Sequence, residues 1–229
     1  MTNKNNTTIN TIFVDCFSTI IFRKIKANEV FKLWSRALSK KYNIDWKVVY
    51  KTYTKTNFNM CVKKIFTSFT LQEEFSNVLK KVYDKLHKKY ADLPSDFITE
   101  AAEIYINTEL ENFVINNEMI DFLIAEKQSG KSIYLVSDFY CKSDILKRWL
   151  TALGVVDVFN GVFSSSDFDK EKATTKLYKY LIKDLTTIPQ STIMYGDNLW
   201  SDVLMAKACK LNAKRIKQTL QRINNNERK

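Results

Sequence analysis

The chain has 229 residues, 45% of them hydrophobic and 27% charged, with a net charge of +11. That length suits one sizeable domain or a core with a smaller insert, and no apolar run approaches the roughly 18 residues of a membrane span. The 36 lysines and arginines are spread along the chain without an arginine-rich run, which argues against a nucleic-acid groove. The single histidine, His87, sits among charged residues in DKLHKKY and reads as a solvated helix position. A Ser-His-Asp triad and a His-rich metal site are thereby excluded. The four cysteines, Cys16, Cys61, Cys141 and Cys209, form no C-x-x-C pair, so neither a zinc knuckle nor a redox motif is expected.

Residues 1–10, MTNKNNTTIN, are polar and lack the apolar run of a signal peptide. A disordered lead and a cytoplasmic protein are expected. TIFV (11–14) reads as a buried strand, and it runs straight into Asp15. The next hundred residues look helical. Val30, Phe31, Trp34, Ala37, Leu38 and Lys41 follow a 3.6-residue period, as do Leu71, Phe75, Val78, Leu79, Val82 and Leu86, and then Ile98, Ala101, Ala102, Tyr105 and Ile106. No glycine precedes Gly130, and Pro94 marks a helix boundary. Residues 24–114 are therefore expected to form a helical insert. A helix over 116–131, stopped by Gly130, returns the chain to a strand, SIYLV (132–136), followed by Ser137 and Asp138.

Strand and helix then alternate. A helix is expected over 143–154, with a serine at its start, Ile145, Trp149, Leu150 and Leu153 on one face, and Gly154 as its stop. GVF (161–163) is a strand. Residues 172–185 suggest a helix burying Leu177, Tyr180, Leu181 and Leu185. TIMY (192–195) is a strand that leads into Gly196, Asp197 and, five residues on, Asp202. A helix with Ser201 as N-cap is expected over 201–211. AKRI (213–216) is a weaker last strand, and 219–229 form a polar tail. The alternation means crossover units and an α/β fold with an open parallel sheet. Its core is expected to comprise 11–23 and 115–218. In such a sheet the carboxyl ends of the strands line one crevice, so the acids after three strands and Ser137 should converge. Asp138 reads as structural.

The spacing of these residues resembles the haloacid dehalogenase superfamily of hydrolases, most of whose members are phosphatases. The match lies in 11–23 and 116–216. The first motif, D-x-D-x-T with D-x-[YF]-x-T variants, appears here as DCFST; the second is Ser137 at a strand end; the third is a lysine, Lys172, six residues before Tyr178; the fourth is GDNLWSD. Lys170 and Lys176 are alternatives to Lys172. The resemblance implies a Rossmann-like sheet with the insert as a helical cap, and a Mg²⁺ cofactor. It implies Asp15 as nucleophile and metal ligand, with the backbone carbonyl of Phe17 and Asp197 as further ligands. Asp202 is implied as an outer ligand or as the lysine's partner. Ser137 and Lys172 would hold the transferring phosphoryl group, and Thr19 would orient Asp15 by a hydrogen bond.

The chain departs from the phosphatase pattern at Phe17, where those enzymes carry the acid that protonates the leaving group. Such help is typically worth about 10²–10⁴ in rate. The resemblance therefore implies a hydrolase acting on a small phosphorylated substrate, with aryl or acyl phosphates preferred. An aromatic at this place also resembles the superfamily's dehalogenases, which need no metal. The acids of the fourth motif favour phosphate chemistry over that alternative. A non-catalytic protein that binds a phosphorylated ligand is a third reading, because a fold does not fix a function.

Overall fold

Strand β1 (Thr11–Val14) is buried along its whole length, as its four apolar or β-branched residues require of a central strand covered on both faces. In the computed structural model, which describes residues 8–68 (backbone alone for 65–68) and 73–217, β1 is the middle of a five-stranded sheet. Beyond β1 run two short strands, β2 (Ile21–Arg23) and β3 (Phe113–Ile115), which pair with each other. The sheet proper comprises β1, β4 (Ser132–Ser137), β5 (Gly161–Ser164), β6 (Thr192–Gly196) and β7 (Asn212–Arg215). Their order is β5-β4-β1-β6-β7 and every described pairing is parallel. All five predicted strands are present. The chain steps from β1 through β4 to β5, then crosses to β6 on the other side of β1. That reversal opens the crevice at the carboxyl ends.

The described residues divide into two units: one runs to Phe22 and resumes at Ile115, and the other is Arg23–Val114. The second is helical, with α1 (Ala27–Tyr42), α2 (Trp46–Ser68), α3 (Phe75–His87) and α4 (Phe97–Glu111). Helix α1 ends on Asn43 in the left-handed conformation, which asparagine tolerates. Trp34 is fully buried and its indole N–H donates to the Ala101 carbonyl at 2.7 Å. Phe31 stacks between Tyr53 and Tyr105, with centroids 4.4 and 5.3 Å away. Buried Glu109 accepts from Arg23 Nε and Nη2 at 2.8 and 2.9 Å and from the Tyr105 hydroxyl at 2.6 Å, so its charge is paired. His87 is exposed, as predicted, and stacks on Tyr83. Leu71 lies outside the described residues.

In the other unit, α5 (Asn117–Gln128) is capped by Asn116, whose side chain accepts from the Met119 N–H. Helix α6 (Ser143–Ala152) starts at the predicted place, but Lys142 rather than a serine holds the cap position, and its side chain does not cap the helix. Its buried face is Leu146, Trp149 and Leu150, with Ile145 and Leu153 only half-buried. A short helix α7 (Ser165–Phe168) follows β5 directly.

The helix expected over 172–185 is broken. Residues 172–174 form a single tight turn, Thr175 takes a left-handed φ of 64°, and α8 (Lys176–Asp184) starts only then. The buried aromatic on α8 is Tyr178, not Tyr180. The helix expected from Ser201 begins earlier, as a π-helical turn over Leu199–Leu204 continued by α9 (Met205–Ala208). Its cap is Asn198, which accepts the N–H groups of Trp200 and Ser201; Ser201 is not the cap because its hydroxyl donates to Asp202. Leu177, Tyr178 and Leu181 of α8 pack with Phe13, Val136, Met194 and Ala206 in one apolar cluster. Burial of each such side chain contributes about 1.5–3 kcal/mol.

Asn10, which the sequence placed in a disordered lead over 1–10, instead extends the sheet. Its N–H donates to Ser191 and its carbonyl accepts from Ser132. Residues 1–7 and the tail 219–229 lie outside the described residues. Among the described residues no helix is long and apolar enough to cross a membrane.

Candidate active site

Asp15 directly follows β1, and its backbone N–H still donates to Tyr195 of β6 at 2.8 Å. The chain then folds back tightly. The Cys16 carbonyl accepts from both Ile20 and Ile21, and Ser18 is left-handed at φ 58°. The Asp15 carboxylate is thus fixed at the carboxyl end of the central strand and largely buried.

Lys172 stands 157 positions away in sequence, yet its Nζ lies 2.5 Å from Asp15 Oδ1 and 2.7 Å from Asp202 Oδ1. Lys172 and Asp202 are each 1% exposed. Asp202 is held further by the Asn198 N–H, which donates to Oδ2 at 3.0 Å, and by the Ser201 hydroxyl. Asp197 is half-buried, and its backbone carbonyl accepts from Arg215 Nε at 2.9 Å. One carboxylate oxygen from each of Asp15, Asp197 and Asp202 lies within 4.8 Å of the others.

Asp138 is structural in a specific way. Its two carboxylate oxygens accept the backbone N–H groups of Lys172 and Ala173 at 2.7 and 3.1 Å. Ser137 ends β4, the neighbour of β1, and is 1% exposed. Of the competing lysines, Lys170 donates to the Phe168 carbonyl and lies over the Tyr180 ring, while Lys176 is exposed.

Thr19 is corrected. Its hydroxyl makes no hydrogen bond to Asp15; it is fully buried and has no hydrogen-bond partner among the described residues. The turn at Ser18 directs Thr19 inward, where its carbonyl accepts from the Asn116 side chain at 2.8 Å.

Burial dominates the electrostatics. It pushes the Asp15 carboxyl up to about 7, against the Lys172 charge and helped by Asp202 and Asp197. Asp197 is also raised, by burial and then by Asp202. Burial alone would lower the Lys172 ammonium, but Asp15 and Asp202 outweigh it and hold the group well above its ordinary value. Three clustered carboxylates thus face one ammonium. The donor set is all oxygen and carries excess negative charge, which fits a hard divalent cation such as Mg²⁺.

Phe17 is half-buried, its ring 4.7 Å from Phe139 and 6.4 Å from Trp149. The position two residues after Asp15 is therefore an aromatic wall. Gly196 is dictated by Asp202: a Cβ there would stand 2.3 Å from Oδ2 and 2.6 Å from the Asp202 Cβ. Gly196→Ala is expected to destabilise the fold by about 1–3 kcal/mol and to displace Asp202, which is too buried to retreat. Chemical denaturation of both proteins measures this, and unchanged stability would mean that the turn yields freely.

Two residues of the site were missed in the sequence: Asn198, whose capping role was given to Ser201, and Trp200, whose indole N–H donates to the Ala173 carbonyl at 3.1 Å. An asparagine three residues before Ser201 was a readable cap signal; nothing in the sequence singled out Trp200.

The family model described as haloacid dehalogenase-like hydrolase matches residues 9–210. No curated protein matches the chain. Among solved structures, it is similar to a HAD phosphatase from Thermococcus onnurineus, with 19% identity and a TM-score of 0.59, over 93% of this chain and 88% of that one. It is similar to L-2-haloacid dehalogenase from Xanthobacter autotrophicus, with 14% identity and a TM-score of 0.57, over 96% and 82%. It is also similar to the HAD-hydrolase YfnB from Bacillus subtilis, described as bound to magnesium, with 18% identity and a TM-score of 0.55, over 94% and 91%. At these identities the likeness concerns the fold.

Proposed function

The chain belongs to the haloacid dehalogenase-like hydrolases, and from that premise we propose that it is a Mg²⁺-dependent phosphatase or phosphotransferase acting on a small phosphorylated metabolite. The observation that carries this reading is the cluster of Asp15, Asp197 and Asp202, with the buried Lys172 ammonium bonded to Asp15 and Asp202. A metal-independent dehalogenase has no need of so many acids. The magnesium in the Bacillus subtilis relative supports the choice of ion.

Asp15, Asp197 and the Phe17 carbonyl would hold the ion, which when bound offsets the repulsion between phosphate and carboxylate. Asp15 would attack phosphorus to form an aspartyl-phosphate as the bond from phosphorus to the leaving oxygen breaks, that oxygen departing as the anion or taking a proton from water. Water would then cleave the aspartyl-phosphate, releasing phosphate and restoring Asp15, so that one step is divided into two. Lys172 places a positive charge against the phosphoryl oxygens, and Ser137 donates a hydrogen bond to them. Asp202 anchors the lysine. The helical unit Arg23–Val114 is assigned the cap's role of selecting substrate.

The aromatic wall at Phe17 favours the second reading, a haloacid dehalogenase, since an apolar surface there suits a haloalkyl group and donates no proton. The readings separate in one screen: phosphate release from aryl, acyl and alkyl phosphomonoesters with and without Mg²⁺, beside chloride release from a 2-haloacid. Phosphate release that depends on Mg²⁺ and is fastest for aryl or acyl esters is the expected outcome. Phe17→Asp should then raise alkyl-ester turnover, by up to about 10². Chloride release with no phosphate release would transfer the chain to the dehalogenases. Binding of phosphate without either activity would make it a ligand-binding protein.

A further inference from the structure

We propose that Trp200 is a positioning residue that sets the placement of the Lys172 ammonium through the backbone at the lysine's root, an inference that rests on the Mg²⁺-dependent phosphatase reading. Lysine carries a flexible four-carbon stem. Where its ammonium sits between Asp15 and Asp202 depends on how firmly the backbone at its root is held. That backbone is not part of α8. The left-handed Thr175 separates Lys172–Thr174 from the helix, and the local ties are the Thr175 N–H to the Lys172 carbonyl at 2.9 Å and, at the turn's start, the Leu177 N–H and Thr174 hydroxyl to the Glu171 carbonyl at 3.2 and 3.1 Å.

Side chains supply the rest. Asp138 takes the N–H groups of Lys172 and Ala173, and Trp200 takes the Ala173 carbonyl from the other side. Trp200 is 55% exposed, so its indole is not there to fill a core. It sits in the turn between Asp197 and Asp202. A second bond ties α8, which follows the lysine's turn, to the same 199–204 segment: the Tyr178 hydroxyl donates to the Ser201 carbonyl at 2.9 Å. The lysine's root and the metal-side carboxylates are thereby fixed to one another.

Trp200→Phe keeps an aromatic ring and removes the N–H. The lysine should then settle less well against the phosphoryl group, while the carboxylates lose part of a competing positive charge. The signature is therefore a split. Turnover of an aryl phosphate should fall about tenfold or more, since small misplacements are costly at a reacting centre. Mg²⁺ binding, titrated calorimetrically without substrate, should be as tight as in wild type or tighter. Weaker Mg²⁺ binding in the variant would overturn the inference, because Trp200 would then merely brace the turn carrying Asp197 and Asp202. Unchanged turnover would overturn it too. A wild-type protein that binds no Mg²⁺ would remove the phosphatase reading itself, a distinguishable failure that takes the inference with it.

Discussion

Asp15→Asn is expected to lower turnover by about 10⁴-fold or more, because an amide is a poor nucleophile and members of a catalytic unit act together. The substitution has a second, independent readout. In the metal-free protein burial raises the Asp15 carboxyl from 3.8 to about 7, so the fold favours its neutral form. That contribution to stability is full below the ordinary carboxylate value and is lost as pH rises through about 7. Asparagine does not ionise. Melting both proteins in EDTA, wild type should lose stability relative to Asp15→Asn between pH 4 and pH 8, on the order of the span between those two pKa values. A parallel pH dependence in the two would show that the carboxylate is not desolvated as the geometry implies. Undiminished turnover would end the covalent mechanism.

Lys172→Met should give the largest loss of stability in the sheet unit. The lysine is 1% exposed and separates two carboxylates. Removing one partner from a buried ionic cluster typically costs about 3–5 kcal/mol, because the remaining charges stay buried and uncompensated. Methionine nearly preserves the stem, so the packing of the aliphatic chain changes little. Urea unfolding in EDTA measures the loss. Added Mg²⁺ should recover more stability in the variant than in wild type, since the cation then supplies charge that the ammonium no longer does. Turnover should remain low even with Mg²⁺ present. A variant as stable as wild type in EDTA would mean that the acids are protonated or solvated and that the cluster is not held by the lysine.

The sequence by itself determined the parallel sheet, the helical segment after β1 and the residues at the strand ends. The reason is local. Short apolar runs such as Thr11–Val14 and Thr192–Gly196 mark buried strands wherever they stand, and alternation with helices forces crossovers. Asp15, Ser137 and Asp197 were legible because each directly follows such a run. What the tertiary structure decided depends on partners distant in the chain. Three lysines, Lys170, Lys172 and Lys176, fit the spacing, and it is the 172–174 turn, held through its backbone by Asp138 and Trp200, that sends Lys172 to Asp15. Helical periodicity predicted an unbroken helix over 172–185; the grip of Asp138 and Trp200 on the preceding backbone outweighs that local preference and leaves Thr175 left-handed. Ser201 looked like a cap, but Asn198 caps the helix three residues earlier, through the N–H groups of Trp200 and Ser201, and the Ser201 hydroxyl donates to Asp202 instead. Thr19 matched its motif and still makes no bond to Asp15, because the tight turn on the Cys16 carbonyl points it into the core. Residue types and spacing fix which groups are available; hydrogen bonds between segments far apart in sequence fix which of them meet.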